Sequence, residues 1–282
     1  MRLISALLLL TACISGSPAI VGRAAVFYQR TDYQASLHVL AEDPAPDAPG
    51  FALTGKNYYM LGDYKKAIDS FERALALAPT NSEYDLWLGR AWGQRAQSGG
   101  WLSAPGNASK ARQYFEKAVA LDPHNNEAMN DLFDFYLNAP AILGGGMDKA
   151  EAVAKRIATE RPPEYQHEEA QLAERRKQYE AAESHLRRAM ELAPDQPGRV
   201  VDLASYVAKR GRLQESDALF AQARKIAPHR PRVAFAEART YIENNRNLEQ
   251  ARGLLREYLR SNLTPDDPPR QAAEKLLRRA GE

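Results

Sequence analysis

Between residues 26 and 280, apolar and small residues recur at three- and four-residue spacing, the period of one helix face. No stretch alternates with the period of two that a half-buried strand needs. Residues 51–79 show the pattern most fully. Phe51, Thr54, Gly55 and Tyr58 mark one helix, Leu61-Gly62-Asp63 a tight turn, and Tyr64, Ala67, Phe71 and Ala74 a second helix that stops at Pro79. Gly55, Ala67 and Ala74 are small enough for two backbones to approach closely. Phe51, Tyr58 and Phe71 fill the space between them.

These slots resemble a tetratricopeptide repeat: large, Leu, Gly and Tyr on the first helix, then Ala, aromatic, Ala and Pro on the second, over 34 residues. Thr54 in the Leu slot is a departure. The resemblance implies an all-α, right-handed solenoid of six to seven helix pairs with a C-terminal capping helix. It speaks to fold rather than function, because the scaffold has many uses.

The other repeats follow from the same slots. Residues 26–43 read as a first pair with a truncated first helix, carrying Phe27, Tyr33, Ser36 and Leu40. A second pair is expected at 82–94 and 109–121, with Leu88, Gly89 and Trp92, then Ala111, Phe115 and Ala118. Between them lies an insertion at 97–107, whose Trp101 and Leu102 should fold back on the solenoid. A third pair carries Met129, Leu132 and Tyr136, then Ala150, Ala154 and Ile157, with a second insertion at 139–147. Three further pairs close near Pro194, Pro228 and Pro265. Ala272, Leu276 and Leu277 share one face of a last helix whose other face is charged, as a solenoid cap requires. No Gly/Ser linker interrupts residues 26–282, so one superhelix is expected.

The N-terminus reads as an address. Arg2 precedes an apolar run at residues 3–10, too short to span a bilayer as a helix. Leu10-Thr11-Ala12-Cys13 resembles the bacterial lipobox. That implies cleavage after residue 12, acylation of Cys13, and a short tether over 13–25. A membrane anchor in the bacterial cell envelope follows, on the periplasmic face. Ile14 in place of Asp favours the outer membrane. A plain signal peptide cut near Ser17 or Ala19, or a misassigned start, are the competing readings.

Composition narrows the chemistry. The 282 residues carry a net charge of +2, so bulk charge gives no reason to expect nucleic acid. From residue 161 onward, 23 Lys and Arg face 19 Asp and Glu, a mild excess that reads as solvated helix faces. Cys13 is the only cysteine, which excludes an internal disulfide and a cysteine-based metal cluster. His38, His124, His167, His185 and His229 form no zinc motif. Gly144-Gly145-Gly146-Met147-Asp148-Lys149 lacks the ending of a phosphate-binding loop and reads as a turn before a helix. Trp87, Trp92 and Trp101 read as core or loop anchors before they read as a stacking platform. No nucleophile, base and oxyanion site assemble, so an enzyme is not expected and no cofactor is implied. Buried carboxylates with raised pKa would reopen that question.

In the tetratricopeptide family the concave face is lined from the first helix of each pair. Carried over by slot, the resemblance names Lys56, Tyr59, Arg90, Asn130, Asp134, His167, Gln171, Ser205 and Arg239. Their mix of charge, amide and aromatic suits a protein or peptide partner. Ala52 and Lys56 fill the slots of the chaperone-binding carboxylate clamp, so that specificity is not expected. The expected function is a membrane-anchored adaptor. A ligand-channelling component distantly like the periplasmic T-component of tripartite (TRAP) transporters is the alternative, and it requires a hydrophobic conduit.

Overall fold

A computed structural model describes residues 18–100 and 102–281 of the chain. Cys13, and the anchor read from it, lie outside the described residues, as does Trp101. The described residues form α-helices and one short 3-10 turn. Fourteen helices pair as antiparallel hairpins: α1 (Pro18–Gln29) with α2 (Tyr33–Leu40), α3 (Ala48–Met60) with α4 (Tyr64–Leu77), α5 (Ser82–Ser98) with α6 (Ala104–Leu121), α7 (Asn126–Asn138) with α8 (Met147–Ile157), α9 (Pro162–Arg175) with α10 (Tyr179–Leu192), α11 (Pro197–Lys209) with α12 (Leu213–Ile226), and α13 (Pro231–Glu243) with α14 (Leu248–Arg260). A last helix, α15 (Arg270–Arg279), packs on α13 and α14.

The α3–α4 hairpin shows how sequence sets this geometry. Gly62 turns the chain at φ +79°, a conformation that glycine adopts without penalty. Asp63 then caps α4, its carboxylate accepting from the Lys66 N–H at 3.2 Å. A Cβ on Gly55 would lie 2.7 Å from the Phe71 ring, so the absent side chain is what lets α3 and α4 close on Phe71. Gly89 repeats the device in the next hairpin, where a Cβ would come within 2.5 Å of Phe115.

Hairpins stack in order, each second helix against the next first helix. Among the first helices of the hairpins, α1 also touches α3, α3 touches α5, α5 touches α7, and α11 touches α13. Phe71, Leu88, Phe133, Leu172, Leu203, Phe220, Leu255 and Tyr258 are fully buried along this spine. A polar link is built in where Asn57, itself fully buried, donates to the Ser36 hydroxyl at 2.9 Å and so joins α3 to α2.

Three boundaries differ from expectation. The first helix is not truncated at residue 26. It starts at Pro18, because Ala24 and Tyr28 are buried and Ile20, Val21 and Phe27 pack beside them. Residues 18–25 therefore belong to the solenoid and not to a tether, while Val26 stands 49% exposed. The insertion at 97–107 is mostly helix: it lengthens α5 to Ser98 and starts α6 at Ala104. The Asn107 amide reaches across to the Arg95 carbonyl at 3.3 Å, clasping the two extensions. Leu102 does not fold back and is 78% exposed. On the capping helix the buried positions are Ala273, Leu276, Leu277 and Ala280, with Ala272 at their edge.

The second insertion holds the 3-10 turn Ala141–Leu143. Gly144 follows at φ +88°, and Gly145 packs so closely that a Cβ would fall 1.9 Å from the Ala139 carbonyl. Its glycines thus serve the turn. Asp148 sits in the first turn of α8, while Gly146 occupies the cap position.

The superhelix returns toward its own start. The α1–α2 turn and the segment before α15 line one cavity of about 200 Å³, with Thr31, Tyr33 and Met60 on one side and Leu263, Pro268 and Arg270 on the other.

Candidate partner-binding groove

The concave face is built from the first helix of each hairpin, and polar contacts join neighbouring helices rung by rung. Lys56 on α3 reaches Glu83 on α5 at 2.5 Å. Arg90 on α5 reaches Asp131 and Glu127 on α7 at 2.5 and 2.9 Å. Arg161, at the start of α9, donates to the Asn130 amide oxygen at 3.2 Å. Arg199 on α11 returns to Glu164 on α9 at 2.7 Å, and His167 Nδ1 lies 3.2 Å from Asp202. The Ser205 and Thr240 hydroxyls meet at 3.4 Å between α11 and α13.

Two cavities open along this face. One, of about 500 Å³, lies over α3, α5 and α7. Phe115, Phe135 and Leu143 give it apolar walls, and Tyr59, Arg90, Asp131 and Asp134 its polar ones. Beside it, Tyr59 meets the Trp87 ring edge-on at 5.2 Å, and Trp87 stacks on Phe71 at 5.9 Å. Lys56 and Arg90 lie over the Trp87 ring at 5.2 and 4.9 Å. Trp87 is thus enclosed by the repeat core and two cations, and Trp92 is buried outright. The second cavity, of about 580 Å³, lies over α11 and α13 and reaches Asn130 and His167.

The nine residues named from the sequence divide between these places. Tyr59, Arg90 and Asp134 line the first cavity, and Asn130, His167 and Arg239 the second. Lys56 is held in its ion pair, Ser205 faces Thr240, and Gln171 is half-buried; these three line neither. Slot counting did not name Asp131, Asp202, Arg199, Arg230 or Arg232. The Arg-Pro-Arg run at 230–232 is the sequence signal for the last two.

The groove perturbs its carboxylates. Asp134 faces open space yet is ringed by protein, and this loss of water, with Asp131 nearby, pushes its carboxyl up to about 6. Burial also raises Asp131, against the pull of Arg90. Burial pushes on Asp202 too, but His167 and Arg199 outweigh it and hold that carboxyl below its usual value. Glu168 on α9 is only 4% exposed, one of its oxygens has no partner, and burial raises it to about 8. Raised carboxylates are the feature that favours acid–base chemistry. Of these, Asp131 and Asp134 line the first cavity together, and Glu168 lines neither cavity. Among the described residues, no three His, Cys, Asp or Glu side chains converge as metal ligands. Neither cavity is an apolar conduit: Arg90 and Asp131 line one, Arg199 and Asp202 the other.

The tetratricopeptide repeat pattern matches residues 48–81, 105–125 and 163–196. The chain carries tetratricopeptide repeats. No curated protein matches the sequence. Solved structures share the fold at low identity. A tetratricopeptide repeat protein from Parabacteroides merdae aligns over 94% of this chain and 98% of its own, at 13% identity and a TM-score of 0.59. The thermophilic tetratricopeptide protein TTC0263 from Thermus thermophilus aligns over 67% and 97%, at 20% identity and 0.54. PilW, a type IV pilus biogenesis factor, aligns over 75% and 94%, at 21% identity and 0.52. These likenesses concern the fold. The repeat core of this chain (Gly55 on Phe71, Gly89 on Phe115) is the tetratricepeptide packing rule in two successive hairpins.

Proposed function

We propose that the chain is a non-catalytic scaffold that holds a protein or peptide partner in its concave groove, and that acylated Cys13 tethers it to a bacterial envelope membrane. The observation that carries the first half is the groove itself. Two open cavities mix aromatic, amide and charged side chains on helices already fixed to one another by ion pairs. A partner therefore meets walls whose ordering cost is largely met in the free protein. The exposed Ile142 and Leu102 at the two insertions offer apolar contacts outside the groove. The second half rests on the lipobox resemblance of residues 10–13. With α1 beginning at Pro18, few residues separate such an anchor from the solenoid, and the groove would work close to the bilayer.

The test is a crosslinking pull-down from membranes, comparing the native chain with Cys13→Ala and with a photo-crosslinking residue in place of Tyr59. Release of Cys13→Ala into the soluble fraction supports the anchor; unchanged membrane association removes it. A discrete protein captured from position 59 supports the groove reading. Capture by the native chain but never from groove positions would move binding elsewhere.

A further inference from the structure

The lining of the second cavity carries four arginines and a single carboxylate. Arg199 is committed to Glu164 and Asp202, at 2.7 and 3.2 Å. Asp202 in turn faces His167. Arg230, Arg232 and Arg239 line the same cavity. Arg239 has only Glu243, at 3.8 Å with both side chains about half-exposed. Among the described residues, Arg230 and Arg232 have no carboxylate within ion-pair distance. Asp266 and Asp267 border them on an adjoining cavity, where Asp267 also accepts from the Thr264 N–H and hydroxyl at 2.9 and 3.0 Å. The cavity lining itself holds four arginines against one carboxylate, Asp202, while Glu243, Asp266 and Asp267 stand at its margins.

Between these cations the wall is apolar, formed by Val201, Val233 and Phe235. The first turns of α11 and α13 border the space without side-chain caps, and the positive ends of both helix dipoles add to the field. Resting on the groove reading above, we propose that this cavity takes an acidic peptide segment with interspersed apolar residues, its carboxylates paired by Arg230, Arg232 and Arg239. Arginine suits this task because its planar fork pairs with a carboxylate through two hydrogen bonds. A nucleic acid fits less well. Its closely spaced phosphates would meet Asp202 and Asp266 along with the arginines, and the chain's net charge is only +2.

The test uses the purified full chain and fluorescence anisotropy. The probe is a fluorescein-labelled decapeptide of alternating Glu and Leu. A Gln-Leu decapeptide and a single-stranded ten-nucleotide DNA serve as comparisons. The acidic peptide should bind at least tenfold more tightly than either, and the Arg232→Gln/Arg239→Gln double variant should lose at least tenfold. Equal binding of the Glu and Gln peptides, tighter binding of the DNA, or an unaltered double variant would each overturn the proposal. Circular dichroism melting checks that the variant folds. If it does not, the salt dependence of the native chain decides: affinity for the acidic peptide must fall steeply between 50 and 200 mM salt, and a flat response overturns the proposal. A partner crosslinked from position 59 without acidic-peptide binding would sink this inference and leave the groove reading standing.

Discussion

Arg90 Nε lies 2.5 Å from Asp131 Oδ2, so a side chain of α5 is pinned to one of α7 across the candidate groove. Both groups are three-quarters or more shielded from water. Burial raises the Asp131 carboxyl and Arg90 pulls it back down. Removing the arginine alone strands the carboxylate. Arg90→Ala should cost about 1–3 kcal/mol, the buried-pair penalty discounted for partial exposure. The Arg90→Met/Asp131→Leu pair should recover much of it. Urea titration of the three proteins checks this, and a double variant as weak as the single one would refute the account.

Glycine positions split by what lies opposite them. Gly89→Ala drives a methyl to 2.5 Å from Phe115 and should cost about 1–3 kcal/mol through overpacking. Gly253→Ala, inside α14 with nothing within 4 Å, should gain about 0.5–1 kcal/mol. Thermal melts of both variants should move in opposite directions.

Glu168 sets a pH dependence whose sign is fixed. Its carboxyl titrates near 8 when folded against 4.5 as the reference value. Between those values the folded chain holds one more proton than the unfolded one, so this group lowers stability as pH rises from about 4.5 to 8. Glu168→Gln mimics the protonated form. It should match the native chain at pH 4.5 and exceed it by about 2–4 kcal/mol at pH 9. Denaturation at the two pH values reads the difference directly, and an offset that does not vary with pH would exclude this origin.

Ile142, at 92% exposure on the 3-10 turn, contributes little to the core. Ile142→Ser should leave stability within about 0.5 kcal/mol. If the insertion touches the partner, as proposed, the same change should weaken capture in the pull-down. Unchanged capture would assign the insertion to packing alone.

The helical period, the Gly55–Phe71 and Gly89–Phe115 contacts and the turn at Gly62 could be read from the chain because each is local, set by residues within about one hairpin. The start of α1 is not legible because residues 13–25 read as a tether, whereas the burial of Ala24 and Tyr28 holds a helix from Pro18. The insertion at 97–107 was misread for a related reason. Extra residues can lengthen two helices as readily as make a loop, and the Asn107–Arg95 clasp that decides between them depends on the hairpin already being formed. In the groove, slot counting found one wall at a time. It could not foresee that Arg230 and Arg232, which begin α13, would share a cavity with Arg199 on α11, since their meeting depends on how one hairpin is rotated on the next.

The cavity between the α1–α2 turn and the segment before α15 has a mechanical meaning. A solenoid is a series of hinges, and its pitch is the sum of small rotations between neighbours. A change of about 2° at each interface would accumulate to more than about 10° at the far end, while no single hairpin contact need break. Most solenoids discharge that sum into open solvent. Here it is delivered to one gap, with Tyr33 on one lip and Arg270 on the other. Any change in pitch along the superhelix would therefore show here as a change in the distance between Tyr33 and Arg270.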